Sequence, residues 1–180
     1  MAAAACDRAQ VPASAAAVPR GEAAVAHGDA TVPAGSARLV AGDRNATATP
    51  LPDDIVRGLS TDARVLDCPD GVTGGRSAFE PGWVTAHPLD LDGDGRDDWV
   101  VEGRHPCLSS DDGADWWVYA DDGAGAGARL VAALGRARTV EILPATEGHF
   151  ADLRLERGDG GPLLLRYEAG AYAPVGAAVD

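Results

Sequence analysis

The sequence predicts a mainly β fold: a single antiparallel β-meander domain at residues 51–180 with one short N-terminal helix, preceded by an Ala/Pro-rich tail at residues 1–50. Two observations lead there. From Trp83 onward, short runs of β-branched and aromatic residues are separated by Gly, Pro and Asp clusters at intervals of about eight to twelve residues, the spacing of an antiparallel meander. FADLRLE alternates apolar and polar side chains, the period of a half-buried strand, and RGDGGP after it is a hairpin signal. A β domain of about 130 residues buries enough apolar surface to fold without help from a metal or a disulfide. The pattern leaves a propeller-blade-like sheet, a sandwich and an open barrel as alternatives.

The elements follow in chain order. Residues 1–50 are dominated by Ala, Pro, Gly, Ser and Thr with no sustained period, and Pro12, Pro19 and Pro33 interrupt the Ala runs, so a disordered tether is expected. AAAC at residues 3–6 resembles the end of a bacterial lipobox, which would make Cys6 a lipidation site. Only five residues precede Cys6, too few for the basic and apolar regions of a signal peptide, so either the true start lies upstream of Met1 or the match is accidental. Asn45 in NAT reads as a glycosylation acceptor or, in a bacterial-looking chain, as plain polar linker. Pro52, then Asp53 and Asp54 in a first turn, with Ile55, Val56 and Leu59 on one side, predict a helix of about two turns. ARVLD is expected as the first strand, and residues 69–82 as a loop because of their turn formers. Trp83 starts the next strand. After Glu102 comes an irregular connection, then DWWVYADDG, an apolar run bounded by turn residues that reads as a buried strand. ARLVAAL, RTVEILP, HFADLRLERG, PLLLRYE and AYAPV complete the meander.

One stretch is chemically sharper than the rest. In HPLDLDGDGRDDWVV, Asp90, Asp92, Asp94 and Asp98 hold positions 1, 3, 5 and 9 of a loop with Gly95 at position 6. Ca²⁺ takes six to eight oxygens, and closely spaced carboxylates supply them where the backbone curls tightly, which a glycine permits. The expected ligands are the four Asp side chains and the backbone carbonyl of Arg96. An EF-hand is excluded, because position 12 is Val101 where a bidentate Glu belongs and the flanking segments are strand-like.

DxDxDGxxD running into an apolar strand resembles the calcium loop of FG-GAP and VCBS-like repeats of integrin-type propellers. With the aromatic strand of Trp116, Trp117 and Tyr119, the segment GHFADLRLE and the closing LLLRYEAGAYAPV, residues 60–175 resemble small bacterial envelope proteins that carry a single such loop. The resemblance implies a calcium-stabilised β domain. Propellers repeat the loop several times and even four blades of four strands exceed this length, so a complete propeller is excluded.

Composition narrows the partners. The formal net charge is −13, with fifteen Arg and no Lys, which argues against a nucleic-acid partner bound through its phosphates. Between residues 88 and 122 eleven acidic residues face two basic ones, so the negative field centres on the loop. No uninterrupted apolar run is long enough to cross a bilayer. Cys68 and Cys107 flank the strand pair of the loop and are expected to pair in an oxidising compartment, leaving Cys6 as the odd cysteine.

Other chemistries fit less well. His87, His105 and His149 lack zinc spacing with the cysteines. GAGAGA at residues 123–128 lacks the following helix of a dinucleotide loop. Asp111, Asp112 and Asp115 are candidates for a glycosidase carboxylate pair but also ordinary turn chemistry. Trp83, Trp99, Trp116 and Trp117 are either core or, where outward, a binding surface for glycan or protein.

The resulting expectation is a periplasmic or extracellular, possibly lipid-tethered, non-catalytic binding or structural protein of the bacterial cell envelope, with Ca²⁺ as its cofactor and an envelope protein or glycan as its partner. Two alternatives remain: a periplasmic inhibitor or immunity-type protein that binds a basic enzyme through its acidic face, and a carbohydrate-active hydrolase.

Overall fold

The computed structural model describes residues 37–45, 49–121, 123, 127–144, 149–158 and 160–175. Cys6 and residues 124–126 of GAGAGA lie outside them. Among the described residues, two five-stranded antiparallel sheets, one two-stranded hairpin and two short helices form the fold. Among the described residues no helix is long and apolar enough to cross a membrane.

The first strand falls inside the segment expected to be a disordered tail. β1 (Ala37–Val40) pairs with β9 (Thr139–Ile142), so the folded unit begins before residue 51. Three anchors hold it there: Leu39 packs on the core, Arg38 pairs with Glu156 at 2.9 Å, and the Gly42 N–H donates to the buried Glu102 carboxylate at 2.7 Å. Four residues in an Ala/Pro-rich background are too short a signal to read locally.

α1 (Asp53–Leu59) forms where expected, with Asp53 and Asp54 in its first turn and Ile55 and Leu59 buried. ARVL, expected as a strand, is instead one helical turn, α2 (Ala63–Leu66). The reason is Asp62: its carboxylate caps the turn by accepting the Arg64 N–H at 2.9 Å, and Ala63, Arg64 and Leu66 are good helix formers. The same residue accepts the Trp117 indole N–H at 2.9 Å, which pins the helix to the sheet beneath. The segment 69–82 is more regular than a plain loop. β2 (Val72–Thr73) and β3 (Arg76–Ser77) make a hairpin through Gly74 and Gly75, both at positive φ as a two-residue turn requires, and a 3₁₀ turn (Pro81–Trp83) follows.

The main sheet runs β4 (Val84–Leu89), β5 (Asp98–Gly103), β7 (Gly113–Asp121), β8 (Ala128–Ala137), with β6 (Ser109–Ser110) paired to the start of β7. Only Arg138 separates β8 from β9, where the chain leaves this sheet for the other. There β9 continues as a meander through β10 (Leu153–Glu156), β11 (Leu163–Glu168) and β12 (Ala171–Pro174). The RGDGGP signal lies between β10 and β11, as its turn residues predict.

The two sheets pack face to face. Val100, Trp116, Val118, Val131 and Leu134 of the main sheet meet Val140, Ile142, Leu153, Leu155 and Leu165 of the second. A second cluster fills the opposite face of the main sheet, where Val101, Trp117 and Tyr119 pack under Ile55, Leu59 and Val65 of the helices. β7 is therefore covered on both faces, and the structure is three layers: helices, sheet, sheet. Trp116 is fully buried and donates its indole N–H to the Ala137 carbonyl at 3.0 Å. Trp116→Ala is expected to cost about 3–5 kcal/mol, the range for truncating a large buried aromatic, read as a fall in the urea midpoint with an unchanged slope.

Candidate metal centre

The Asp-rich loop joins β4 to β5 at one end of the main sheet, and the register Leu89↔Asp98 closes it. Its core anchor is Leu91, fully buried between the sheets, whose carbonyl accepts at 2.7 Å the N–H of Ala151, two residues before β10 of the second sheet. The loop is thus fixed to both layers. Gly93 and Gly95 adopt φ values of 77° and 82°, where a Cβ would be strained, which lets the chain turn back on itself within a few residues.

Inside the turn Asp90 organises the backbone. One of its oxygens accepts the N–H groups of Gly93 and Asp94 at 2.7 and 3.1 Å, and the other accepts that of Gly95 at 3.0 Å. Asp98 works from the opposite side. Only 2 % exposed, it accepts the Leu91 N–H at 2.9 Å through one oxygen and the Asp121 N–H at 3.0 Å through the other. It holds the loop and the end of β7 together.

Of the residues expected from the sequence, Asp90, Asp92 and Asp98 come together: each offers an oxygen within 4.8 Å of the others. Oxygens sharing one Ca²⁺ at about 2.3–2.6 Å stand within about 5 Å of one another, so this trio fits the coordination sphere of a hard cation. Asp94 stands outside the trio. Its carboxylate accepts the Arg96 N–H at 2.8 Å and pairs with the Arg96 guanidinium, which also lies 3.9 Å from Asp121. Arg96, expected to lend only its carbonyl, therefore also supplies the nearest positive charge.

The electrostatics ask for more positive charge than Arg96 brings. Burial pushes the Asp98 carboxyl up to about 7, against the pull of its two backbone N–H donors, and the carboxylates of Asp92 and Asp94 push the same way. Asp92 is also raised, mainly by burial, with Asp94 and Asp90 adding to it. A divalent cation among these oxygens would offset both terms at once.

Elsewhere the structure disposes of the other candidates in particular ways. Asp112 and Asp115 are ion-paired with Arg138 and Arg136 at 3.1 and 3.0 Å, and Asp111 lines a surface cavity beside Arg138. Trp116 and Trp117 are core, whereas Trp83 and Trp99 are only partly buried. His87 places Nε2 3.5 Å from the fully buried Glu102, which also meets Arg104 at 3.2 Å. Cys68 and Cys107 form a disulfide with Cα atoms 5.7 Å apart, joining the end of α2 to the loop before β6. His105 lies beside this bond, although no local spacing links it to Cys68, 37 residues back in a different loop.

The chain matches no protein-family model, no curated protein and no solved structure. The reading of the loop therefore stands on its geometry and on the resemblance carried by its residues.

The raised Asp98 has a pH consequence. Its folded-state value lies above its unfolded one, so the folded form binds the proton more tightly. The contribution of this group to stability is fully present below about pH 4 and is lost as pH rises through about 7. In chelator, Asp98→Asn is expected to flatten the decline of the thermal midpoint between these pH values. An unchanged slope would remove Asp98 as its source.

Proposed function

We propose that this chain is a non-catalytic, calcium-stabilised binding or structural domain of the bacterial cell envelope. The observation that carries the reading is the convergence of Asp90, Asp92 and Asp98 oxygens within 4.8 Å around a buried carboxylate. The resemblance of DxDxDGxxD to FG-GAP and VCBS-like loops supports calcium over other hard cations, and the glycines fit the tight curl that such a loop needs. Calcium here would act on the fold. It neutralises a cluster that joins the β4–β5 loop, the end of β7 and, through Leu91, the second sheet. The ion would be a clasp on the inter-sheet interface, with no substrate to activate.

The envelope assignment draws on the Cys68–Cys107 disulfide, a bond that persists in oxidising compartments, and on the Ala/Pro-rich segment after Cys6. An inhibitor that binds a basic enzyme through an acidic face has less support. Of the acidic residues near the loop, Asp98 and Glu102 are buried and Asp112 and Asp115 are paired with Arg. Those pairings count equally against a glycosidase built on Asp112 or Asp115.

Thermal unfolding of the full chain in Ca²⁺, in Mg²⁺ and in chelator tests the reading. Ten times its Kd of Ca²⁺ should add about 1.4 kcal/mol and raise the midpoint, because only the folded state presents the site. Mg²⁺ at the same concentration should do little, since it demands tighter octahedral geometry. Asp92→Asn and Asp98→Asn should each remove most of the calcium shift while the chelator baseline stays folded. A midpoint indifferent to Ca²⁺ would overturn the proposal.

A further inference from the structure

At the far side of the helix layer, a second cluster suggests chemistry that the calcium loop does not use. The two sulfurs of the Cys68–Cys107 disulfide sit in opposite environments. Cys107 is half-buried, and the imidazole Nδ1 of His105 stands 2.9 Å from its Sγ and accepts the Cys107 backbone N–H at 3.5 Å, so it is the protonated ring that presents an N–H to the sulfur. Cys68 is only 6 % exposed and its Sγ lies 3.4 Å from the Arg64 carbonyl oxygen. An imidazole N–H stabilises a thiolate, whereas a carbonyl oxygen offers nothing to a thiolate and accepts from a thiol S–H.

The His105 ring is held in place. It stacks on Trp83 with centroids 3.9 Å apart and planes 16° from parallel, and its backbone N–H donates to the Trp83 carbonyl at 3.0 Å. Phe79 closes against Trp83 edge-on. From β8 the Arg136 guanidinium donates to the Cys107 carbonyl at 3.1 Å, bringing a cation close to Cys107, with Asp115 as its ion-pair partner. From α2, Arg64 lies over the Trp117 ring at 5.4 Å; the carboxylate of Asp62 accepts the indole N–H of the same Trp117, and Asp67 directly precedes Cys68.

We propose that this disulfide is an exchange site for dithiols, with Cys107 as the reactive sulfur, His105 as the positioning partner that steadies its thiolate, and Cys68 as the resolving sulfur. A thiolate of the dithiol attacks Cys107 Sγ, the more accessible of the two. The Cys107–Cys68 bond breaks and its electron pair goes to Cys68, which takes a proton and faces the Arg64 carbonyl as a thiol. The second thiolate of the dithiol then attacks its own partner sulfur and releases Cys107 as a thiolate beside His105. The protein disulfide has gained two electrons and, at Cys68, one proton from solvent, and the dithiol, reacting through its two thiolates, has become a disulfide. In the reverse sequence the reduced pair, Cys107 attacking and Cys68 resolving, reduces a disulfide to a dithiol and the Cys68–Cys107 bond forms again. The inference is independent of calcium and needs no residue of the Asp loop.

Full-length protein carrying Cys6→Ser, reduced with dithiothreitol and then freed of it, provides the test. Limiting iodoacetamide near neutral pH followed by peptide mapping should label Cys107 at least tenfold faster than Cys68. His105→Gln should bring the two rates together and move the onset of Cys107 labelling to higher pH, with the thermal midpoint of the oxidised protein unchanged. With Cys68→Ser added, oxidised glutathione should form a mixed disulfide at Cys107 that persists; with Cys68 present it should resolve to the internal disulfide and release glutathione. Faster labelling of Cys68, equal rates that His105→Gln does not alter, or reduction that proceeds only once the chain is unfolded would each overturn the proposal.

Discussion

Everything in this structure depends on β7 being buried on both faces. A strand with two covered faces sends alternate side chains into different cores, and DWWVYA does so residue by residue. Trp116 and Val118 enter the space between the sheets, while Trp117 and Tyr119 enter the space under the helices. Neither core can form without the other strand face being covered, so the helix layer and the second sheet are coupled through one element. Polar atoms carried into this interior are matched: the Trp116 indole finds the Ala137 carbonyl and the Trp117 indole finds Asp62. Burying those N–H groups without partners would cost several times what the hydrogen bonds add.

The second constraint is electrostatic and sits at the end of the neighbouring strand. Asp98 is the first residue of β5 and lies almost fully inside, where a carboxylate is unfavourable unless something positive or hydrogen-bonding meets it. Two backbone N–H groups meet it, and they come from places otherwise far apart in the chain, Leu91 and Asp121. The carboxylate therefore acts as a mechanical tie as much as a charge. Its neighbours Asp92 and Asp94 load the same spot with like charge, which Arg96 meets only through Asp94.

Glu102 plays a comparable part at the other end of β5. Fully buried, it receives the Gly42 N–H and the Arg104 guanidinium, and Arg104 in turn donates to the Asp43 carbonyl at 3.1 Å. Through these bonds the short β1 is held to the main sheet as well as to β9. Two acidic residues on one strand, Asp98 and Glu102, thus fasten separate parts of the chain to the central layer. A net negative charge counted from the sequence does not translate into an equally negative surface.

Much of this was legible beforehand. The strands from β4 onward except β6, which falls in a segment expected to be irregular, α1, and the identity of WWVYA as a buried strand follow from local periodicity and turn residues, because those signals act over a few neighbouring positions. The Asp spacing and the glycines marked the loop for the same reason. Local reading failed where the decisive partner was remote. ARLV at Ala37–Val40 became a strand because Glu102 and Thr139–Ile142 receive it, and ARVL became a helical turn that Asp62 caps and Trp117 holds. The sequence by itself determined a β-rich chain with one acidic turn and two cysteines placed to pair. Only the tertiary structure decided that Asp98 is the buried member of the cluster and that Asp94 turns to Arg96. It also decided that His105 faces one sulfur of the disulfide while the Arg64 carbonyl faces the other. The physical reason is that burial and charge pairing depend on what the folded chain brings from a distance, and no window of adjacent residues contains that information.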